Sequence, residues 1–242
     1  MQAYVKELTQ RFYYRRPCWI DGTSQFAALI QKRLARNARM LDLGAGRGKA
    51  GPVNFRGEAR IVVGVDPDSG LSENSGVDRR VLGLAQNLPF RAGTFDLVFS
   101  DWVVEHLPDP AAAATEAFRV LKPGGFLIFR TGNLFHYSYA IAAATPHWFH
   151  RLVANRVRGL AGDSSDPHPT YYRMNTAAAV RRCLGRAGFV EEQLLMVEAE
   201  PSYLMFSVPT FLLGLAYERL VNRAPSLSRL RACIFACFRK PV

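Results

Sequence analysis

Long apolar runs, paired cysteines, lysine and acidic residues are what this 242-residue sequence has least of. Its four cysteines, Cys18, Cys183, Cys233 and Cys237, form no C-x-x-C pair, and no histidine cluster stands beside them. That pattern argues against a zinc site and against a disulfide framework, and it points to a reducing, cytoplasmic setting with no bound metal. The opening MQAYVKELTQRFYYRR has no apolar centre and is read as carrying no secretory signal. No apolar stretch reaches the roughly 18 residues that a bilayer-spanning helix needs. The nearest, LMFSVPTFLLGLAY (204–217), is interrupted by Pro209. It is too short to span a membrane and long enough to lie on one.

Acids number 20 against 31 basic residues, giving a formal charge of +11, and only five of the 31 are lysine. Such an excess favours anionic partners: nucleic acid, an anionic membrane surface or a phosphorylated substrate. The arginines are scattered singly or in pairs such as Arg15-Arg16, Arg79-Arg80 and Arg181-Arg182. A compositional bias toward Arg and Ala accounts for the charge equally well.

What the chain does have is an alternation of short apolar runs with helical patterns. Strands are expected at 40–43 (MLDL), 60–66 (RIVVGVD), 81–84 (VLGL), 94–101 (TFDLVFSD), 125–131 (GFLIFRT), near 189–197 and at 231–238. Helices are expected at 24–36 with Ser24 as N-cap, after the glycines that succeed the first strand, at 110–121, and at 176–189 with Asn175 or Thr176 as cap. The KPGG sequence at 122–125 reads as a helix stop and then a turn. Continuously apolar strands imply a sheet buried on both faces. The expected fold is therefore α/β, a doubly wound (Rossmann-like), mostly parallel seven-stranded sheet with helices on both faces. The chain is read as one domain over 1–242, with its core at 24–131 and 175–238. Aromatic-rich insertions at about 132–174 and 200–225 are placed over the carboxyl ends of the strands, where open α/β sheets hold ligands.

Residues 41–51, LDLGAGRGKAG, place three glycines at alternate positions. Glycine is used this way where backbone must turn sharply and a ligand comes closer than a Cβ permits. The spacing Gly44-x-Gly46-x-Gly48 is one residue short of the dinucleotide fingerprint, and Gly48-Lys49 is followed by alanine rather than the Ser or Thr of a phosphate loop. Asp42, just before the loop, would repel a pyrophosphate and attract a cation. Asp66 ends the second strand 22 residues past Gly44, a placement suited to accepting hydrogen bonds from ribose hydroxyls.

Asp42-x-Gly44-x-Gly46-x-Gly48 resembles the first motif of class I S-adenosylmethionine-dependent methyltransferases, and the whole set is methyltransferase type 11-like. The likeness continues through GVDPD (64–68), NLPFRAGTFDLVFSDWVVEHLPDP (87–110) and EAFRVLKPGGFLIFRTGN (116–133), dense over 39–133 and looser beyond. The resemblance implies that Asp42, Gly44, Ala45, Gly46 and Gly48 surround the methionine part of S-adenosylmethionine. It places Asp66 and Pro67 at the ribose, Gln86, Asn87 and Leu88 at the adenine, and Ser100, Asp101 and Trp102 at the methyl end. The acid that relatives often carry before L-P-F is replaced here by Gly83-Leu84-Ala85-Gln86. Candidate catalytic groups are His106, as a general base, and Asp101, which contacts cofactor or acceptor or caps a helix. His136, Tyr137, His147, His150, His168, Tyr171, Tyr172 and Arg173 are candidates for an acceptor pocket, with PTYYRMNT (169–176) at its mouth.

The implied reaction is in-line transfer of the activated methyl group to a small-molecule or lipid- or sugar-linked acceptor, without a metal. Two alternatives remain: an RNA methyltransferase, disfavoured because no nucleic-acid-binding module or aromatic-interleaved basic stripe is present, and a non-catalytic protein that binds the cofactor in a degenerate fold. The second insertion sets apolar residues beside arginines, as a peripheral contact with anionic membrane would, or as a helix capping the core would.

Overall fold

The computed structural model describes residues 2–15, 18–48, 51–144, 169–201 and 204–242. Seven strands form one sheet: β1 Arg39–Leu43, β2 Ile61–Asp66, β3 Arg79–Leu82, β4 Phe95–Asp101, β5 Leu121–Gly132, β6 Val190–Val197 and β7 Cys233–Arg239. Their order is β3-β2-β1-β4-β5-β7-β6. The contacts β1–β2, β1–β4, β2–β3 and β4–β5 are parallel. Gly124 and Gly125, near the start of β5, bond Lys240 just past the end of β7, whereas Asn133 after β5 bonds Ala232 before β7. β7 therefore runs antiparallel to β5. The sheet is doubly wound and mostly parallel, as the alternating pattern predicts.

Continuous burial along β1, β2 and β4 results from their unbroken apolar character. Leu41, Val63, Val65, Val98 and Phe129 anchor a core with the helical residues Val120, Val180 and Leu184. Here α1 is Gln2–Thr9, α2 Gly22–Gln31, α3 Pro110–Val120, α4 Tyr137–Ala144, α5 Ala177–Arg186 and α6 Val208–Arg223. Asp109 caps α3 by accepting from Ala111 N–H and Ala112 N–H at 3.0 Å, with Pro110 in the first turn, where its missing N–H costs nothing. Thr176 caps α5, while the neighbouring Asn175 turns its amide to Thr131 and Gly132.

Several local expectations are corrected. The first core helix begins at Gly22, so Ser24 lies inside it, and it ends at Gln31, where Arg33 N–H and Leu34 N–H turn back on Ile30 and Gln31 carbonyls three residues earlier. No regular helix succeeds the glycine loop among the described residues: Pro52 and the left-handed Gly51 and Gly57 permit only a turn around Phe55. The KPGG sequence does end α3, but β5 has already begun at Leu121. Pairing jumps from Phe95–Leu121 to Leu97–Phe126, and a left-handed Gly124 carries the bulge between.

The described residues divide into two compact units: one of Met1–Gly22, Asn133–Pro169 and Met196–Cys233, the other of Thr23–Gly132, Thr170–Leu195 and Ile234–Val242. The second holds the sheet's parallel strands. The first has its own apolar cluster of Val5, Tyr13 and Phe211, with Trp19 edge-on to Tyr13. Buried Tyr13 donates to the buried Glu218 carboxylate of α6 at 3.3 Å.

Candidate functional site

The strand order reverses direction at β1 and β4, and the carboxyl ends of these two strands form the crevice that a doubly wound sheet offers to ligands. After Leu43 the chain turns because Gly44 N–H and Ala45 N–H both donate to Val65 O, at 2.8 and 3.1 Å. All three loop glycines have positive φ: 75° at Gly44, 51° at Gly46 and 104° at Gly48. At Gly44 a Cβ would lie 2.3 Å from the Val103 Cγ2 methyl, so packing as well as conformation demands glycine. At Gly46 no atom lies within 4 Å of that position. Gly46 thus leaves open the space that a side chain would fill.

Asp66 holds this loop in shape. One carboxylate oxygen accepts from Gly46 N–H and the other from Asp68 N–H, both at 2.9 Å. Asn74 supports it from below, donating to Ala45 O and Gly46 O while accepting from Gly76 N–H. The sequence reading missed Asn74. A single asparagine in a Ser/Asn/Gly loop carries no signal beyond turn formation. Asp42 is buried in β1, level with Gly64 on one side and Phe99 on the other. The loop's own cation, Arg47, is engaged by Glu73 through two bonds of 3.0 and 3.1 Å.

Beside Leu43 in the sheet, Ser100 is 2% exposed, and its hydroxyl has no hydrogen-bond partner among the described residues. A buried, unpaired hydroxyl is rare enough to imply a polar ligand or water at that point. With the open left-handed Gly46 and the flanking carboxylates of Asp42 and Asp66, it makes a setting that fits a polar, cationic adenosyl amino acid. Pro67 comes directly after Asp66 and leads into a short 3-10 turn, Ser69–Glu73, capped by Asp68.

At the next strand end, Asp101 forms a buried two-point ion pair with Arg130, its register partner on β5. That pairing corrects the expectation that Asp101 caps a helix: β4 leads into a short 3-10 turn, Val104–His106, without a side-chain cap. Arg130 also donates to Thr23 Oγ1 at 3.0 Å, and its guanidinium carbon lies 5.1 Å from the Phe26 ring centre and 5.3 Å from that of Trp102. Trp102 itself sits at φ 59°, a conformation costing a bulky residue about 1–3 kcal/mol. Its N–H bond to Arg130 O at 3.2 Å and the stacked guanidinium help hold it there.

Glu105 is buried beside this pair, and burial lifts its pKa above the usual carboxylate range. Thr131 Oγ1 donates to its carboxyl group at 2.8 Å and in turn accepts from Asn175 Nδ2 at 2.7 Å. The main-chain carbonyl of Glu105 accepts from both Tyr171 N–H and Tyr172 N–H, and Tyr172 is held at φ 51°. Arg173 bonds Pro108 O and stacks on Tyr171. The 169–176 segment is therefore fastened to the turn that carries half-buried His106, whose N–H bonds Val103 O.

The adenine-side candidates lie in a loop held by α3. Leu88 N–H donates to Glu116 at 2.7 Å, and Arg119 donates to Leu88 O and Phe90 O while pairing with Glu116. This explains physically why the L-P-F and E-A-F-R sequences belong together. Leu88 is buried, Gln86 is half-buried and Asn87 is exposed, closing a small bridge to Leu84.

Of the acceptor-pocket candidates, Tyr171, Tyr172 and Arg173 stand on the fastened segment. His136 and Tyr137 fall in the other unit, and His147, His150 and His168 lie outside the described residues. His136 is buried between tyrosine rings, bonded to Ser138 Oγ at 2.6 Å and 3.6 Å from Glu198. Burial lowers its pKa to about 4 and raises that of Glu198 to about 8, so the two meet as neutral groups rather than as an ion pair. Among the described residues no cluster of potential metal ligands occurs.

A family model described as a methyltransferase domain matches residues 41–129. Demethylmenaquinone methyltransferase of Lactiplantibacillus plantarum is 37% identical over 115 residues, covering 41% of this chain and 47% of that protein. Ubiquinone biosynthesis O-methyltransferase of Cereibacter sphaeroides is 35% identical over 152 residues, covering 57% and 61%. The matches thus span about half the length of these curated relatives. Among solved structures, the putative methyltransferase in complex with the Haloferax volcanii Trm112 methyltransferase activator superposes with a TM-score of 0.60 at 16% identity, covering 100% of this chain and 97% of that one. An S-adenosylmethionine-dependent methyltransferase of Methanosarcina mazei gives 0.58 at 18%, covering 88% and 97%. These last two likenesses are of fold. Residues 41–129 thus match a methyltransferase domain, and the sheet shares the fold of the solved methyltransferase structures named above.

Proposed function

We propose that the chain methylates a small apolar acceptor, a hydroxylated quinone-like ring carried on a lipid tail. The observation carrying the methyl-donor half of this reading is the open, left-handed Gly46, bonded to the Asp66 carboxylate, in the loop that follows buried Asp42. Support for the acceptor half comes from the relatives, which are named for demethylmenaquinone and ubiquinone biosynthesis.

S-adenosylmethionine, when bound, supplies a methyl group activated by its sulfonium charge. The protein's part is orientation and exclusion of water. Asp42 and Asp66 attract and align the cationic donor, and Ser100 offers a buried hydroxyl. The Asp101–Arg130 pair fixes the Trp102 ring at the methyl end, where it excludes water. His106 takes the acceptor hydroxyl proton. Glu105 holds the 169–176 wall in place through its main-chain carbonyl. His106→Gln is expected to cut turnover by about 10²-fold with unchanged donor affinity, as loss of a general base does. Turnover that stays at the wild-type level removes His106 from the chemistry.

We further propose that lipid-borne acceptor reaches the enzyme at an anionic membrane surface. α6 turns Leu212, Leu213 and Leu220 outward, 49%, 67% and 56% exposed, with Arg219 and Arg223 toward its end. No helix among the described residues is long and apolar enough to cross a membrane. Pelleting with vesicles of mixed neutral and anionic lipid is expected to carry the protein down, and Leu213→Asp to abolish it. A protein that stays in the supernatant at low salt contradicts this route.

A further inference from the structure

At the opposite edge of the sheet the strands begin on cations. Arg39 opens β1, Arg60 directly precedes β2, Arg91 lies in the loop before β4, and Lys122 is the second residue of β5. These four side chains, from four separate stretches of chain, line one cavity of about 600 Å³ together with Phe90 and Thr94. Asp96 stands beside them, but its oxygens are engaged, one by Lys122 Nζ at 2.7 Å and the other by Arg39 N–H at 2.9 Å. Among the described residues, the guanidinium groups of Arg39, Arg60 and Arg91 form no hydrogen bond or ion pair.

Elsewhere in this unit several arginines find acids: Arg47 with Glu73, Arg56 with Asp78, Arg119 with Glu116, Arg181 with Glu191. Three uncompensated guanidinium groups gathered on a concave wall repel one another and focus a positive potential into the cavity. An anion relieves that repulsion. Guanidinium forks match phosphoryl oxygens two at a time. A single phosphoryl group carries too little charge to balance three unpaired guanidinium groups. Each phosphoryl group carries roughly one to two negative charges, so a chain of two or three balances the cations present.

We propose that this cavity at the amino-terminal edge of the sheet binds a polyphosphate anion, either a free diphosphate or triphosphate or the phosphate tail of a nucleotide. At about 3.3 Å per residue, the length of β1 separates it from the glycine loop by roughly 15 Å, so it is a second site and not part of the methyl-donor crevice.

Titration calorimetry of the full chain with sodium pyrophosphate and with ATP, against sulfate at matched ionic strength, tests the proposal. Both polyphosphates are expected to bind saturably and more tightly than sulfate. Tighter binding of ATP identifies a nucleotide tail, and parity identifies free polyphosphate. Removing charged hydrogen bonds in Arg60→Ser/Arg91→Ser is expected to weaken pyrophosphate at least about tenfold. Arg181→Ser/Arg182→Ser, which removes the same charge elsewhere, is expected to leave it unchanged. Far-UV circular dichroism and the ligand-free melting temperature report that each variant folds. Absence of saturable binding, or equal weakening in both double variants, overturns the site.

Discussion

The two ends of the parallel strands are chemically opposite. β1 starts at Arg39 and carries Asp42 near its end, β2 is preceded by Arg60 and ends at Asp66, and β4 comes after Arg91 and ends at Asp101. Between each cation and acid lies buried apolar strand. Because the strands are parallel, each repetition of that pattern carries its cation to one edge and its acid to the other. One edge becomes acidic and built around buried groups; the other becomes cationic and open to solvent. Shared strand direction, rather than any single motif, sorts scattered cations and acids to opposite edges.

The two edges make unequal demands on stability. At the acidic edge, Asp101→Ala leaves Arg130 charged and buried, a loss of about 3–5 kcal/mol, which urea unfolding will report. A loss below about 1 kcal/mol would mean that Arg130 relaxes to solvent. Next in size, Gly44→Ala forces a Cβ against the Val103 methyls at a left-handed φ. Overpacking and backbone strain together cost about 2 kcal/mol or more. Adding Val103→Ala is expected to recover the packing part and leave the strain, so a double-mutant cycle separates the two. At the cationic edge, Arg91→Ser removes an exposed unpaired charge and is expected to change stability by no more than about 0.5 kcal/mol in either direction. If that substitution destabilises as strongly as Asp101→Ala, the contrast between a built edge and an open one fails.

A pair of buried groups outside both edges sharpens the point with pH. Burial raises the Glu198 pKa from 4.5 to about 8, so the native state keeps a proton that the unfolded chain releases. Stability must then fall as pH rises from about 4.5 toward about 8. His136 works from the other side: its pKa is lowered from 6.5 to about 4, so the unfolded chain gains a proton first and stability falls as pH drops through that window. Glu198→Gln is expected to flatten the alkaline limb alone. A variant whose pH profile matches the wild type assigns that limb to other groups.

The sheet was legible because its strands are short apolar blocks punctuated by Asp, Gly and Pro, and these are local features. The glycine loop was legible for the same reason: its backbone conformation is written in consecutive residues. What escaped the sequence depends on contacts made at long range. Asp101 and Arg130 are 29 positions apart and meet only through β4–β5 register. Glu105 reads as a lone acid in a turn, and only Thr131 and the 169–176 segment, far along the chain, show that it is enclosed. The helix expected after the glycine loop was lost to Gly51, Pro52 and Gly57, each visible but outweighed by the pattern of its neighbours. The cationic edge was present as RMLDL and RIVVGVD, but without the shared strand direction those arginines read as scatter.

The central claim is that the acidic edge recognises a cationic adenosyl amino acid. Titration calorimetry with S-adenosylmethionine on the wild type, Asp42→Ala and Asp66→Ala tests it most directly. Saturable binding is expected in the wild type and a loss of at least about tenfold in each variant, the worth of one hydrogen bond to a charged group. Folded variants that bind as tightly as the wild type would contradict the account.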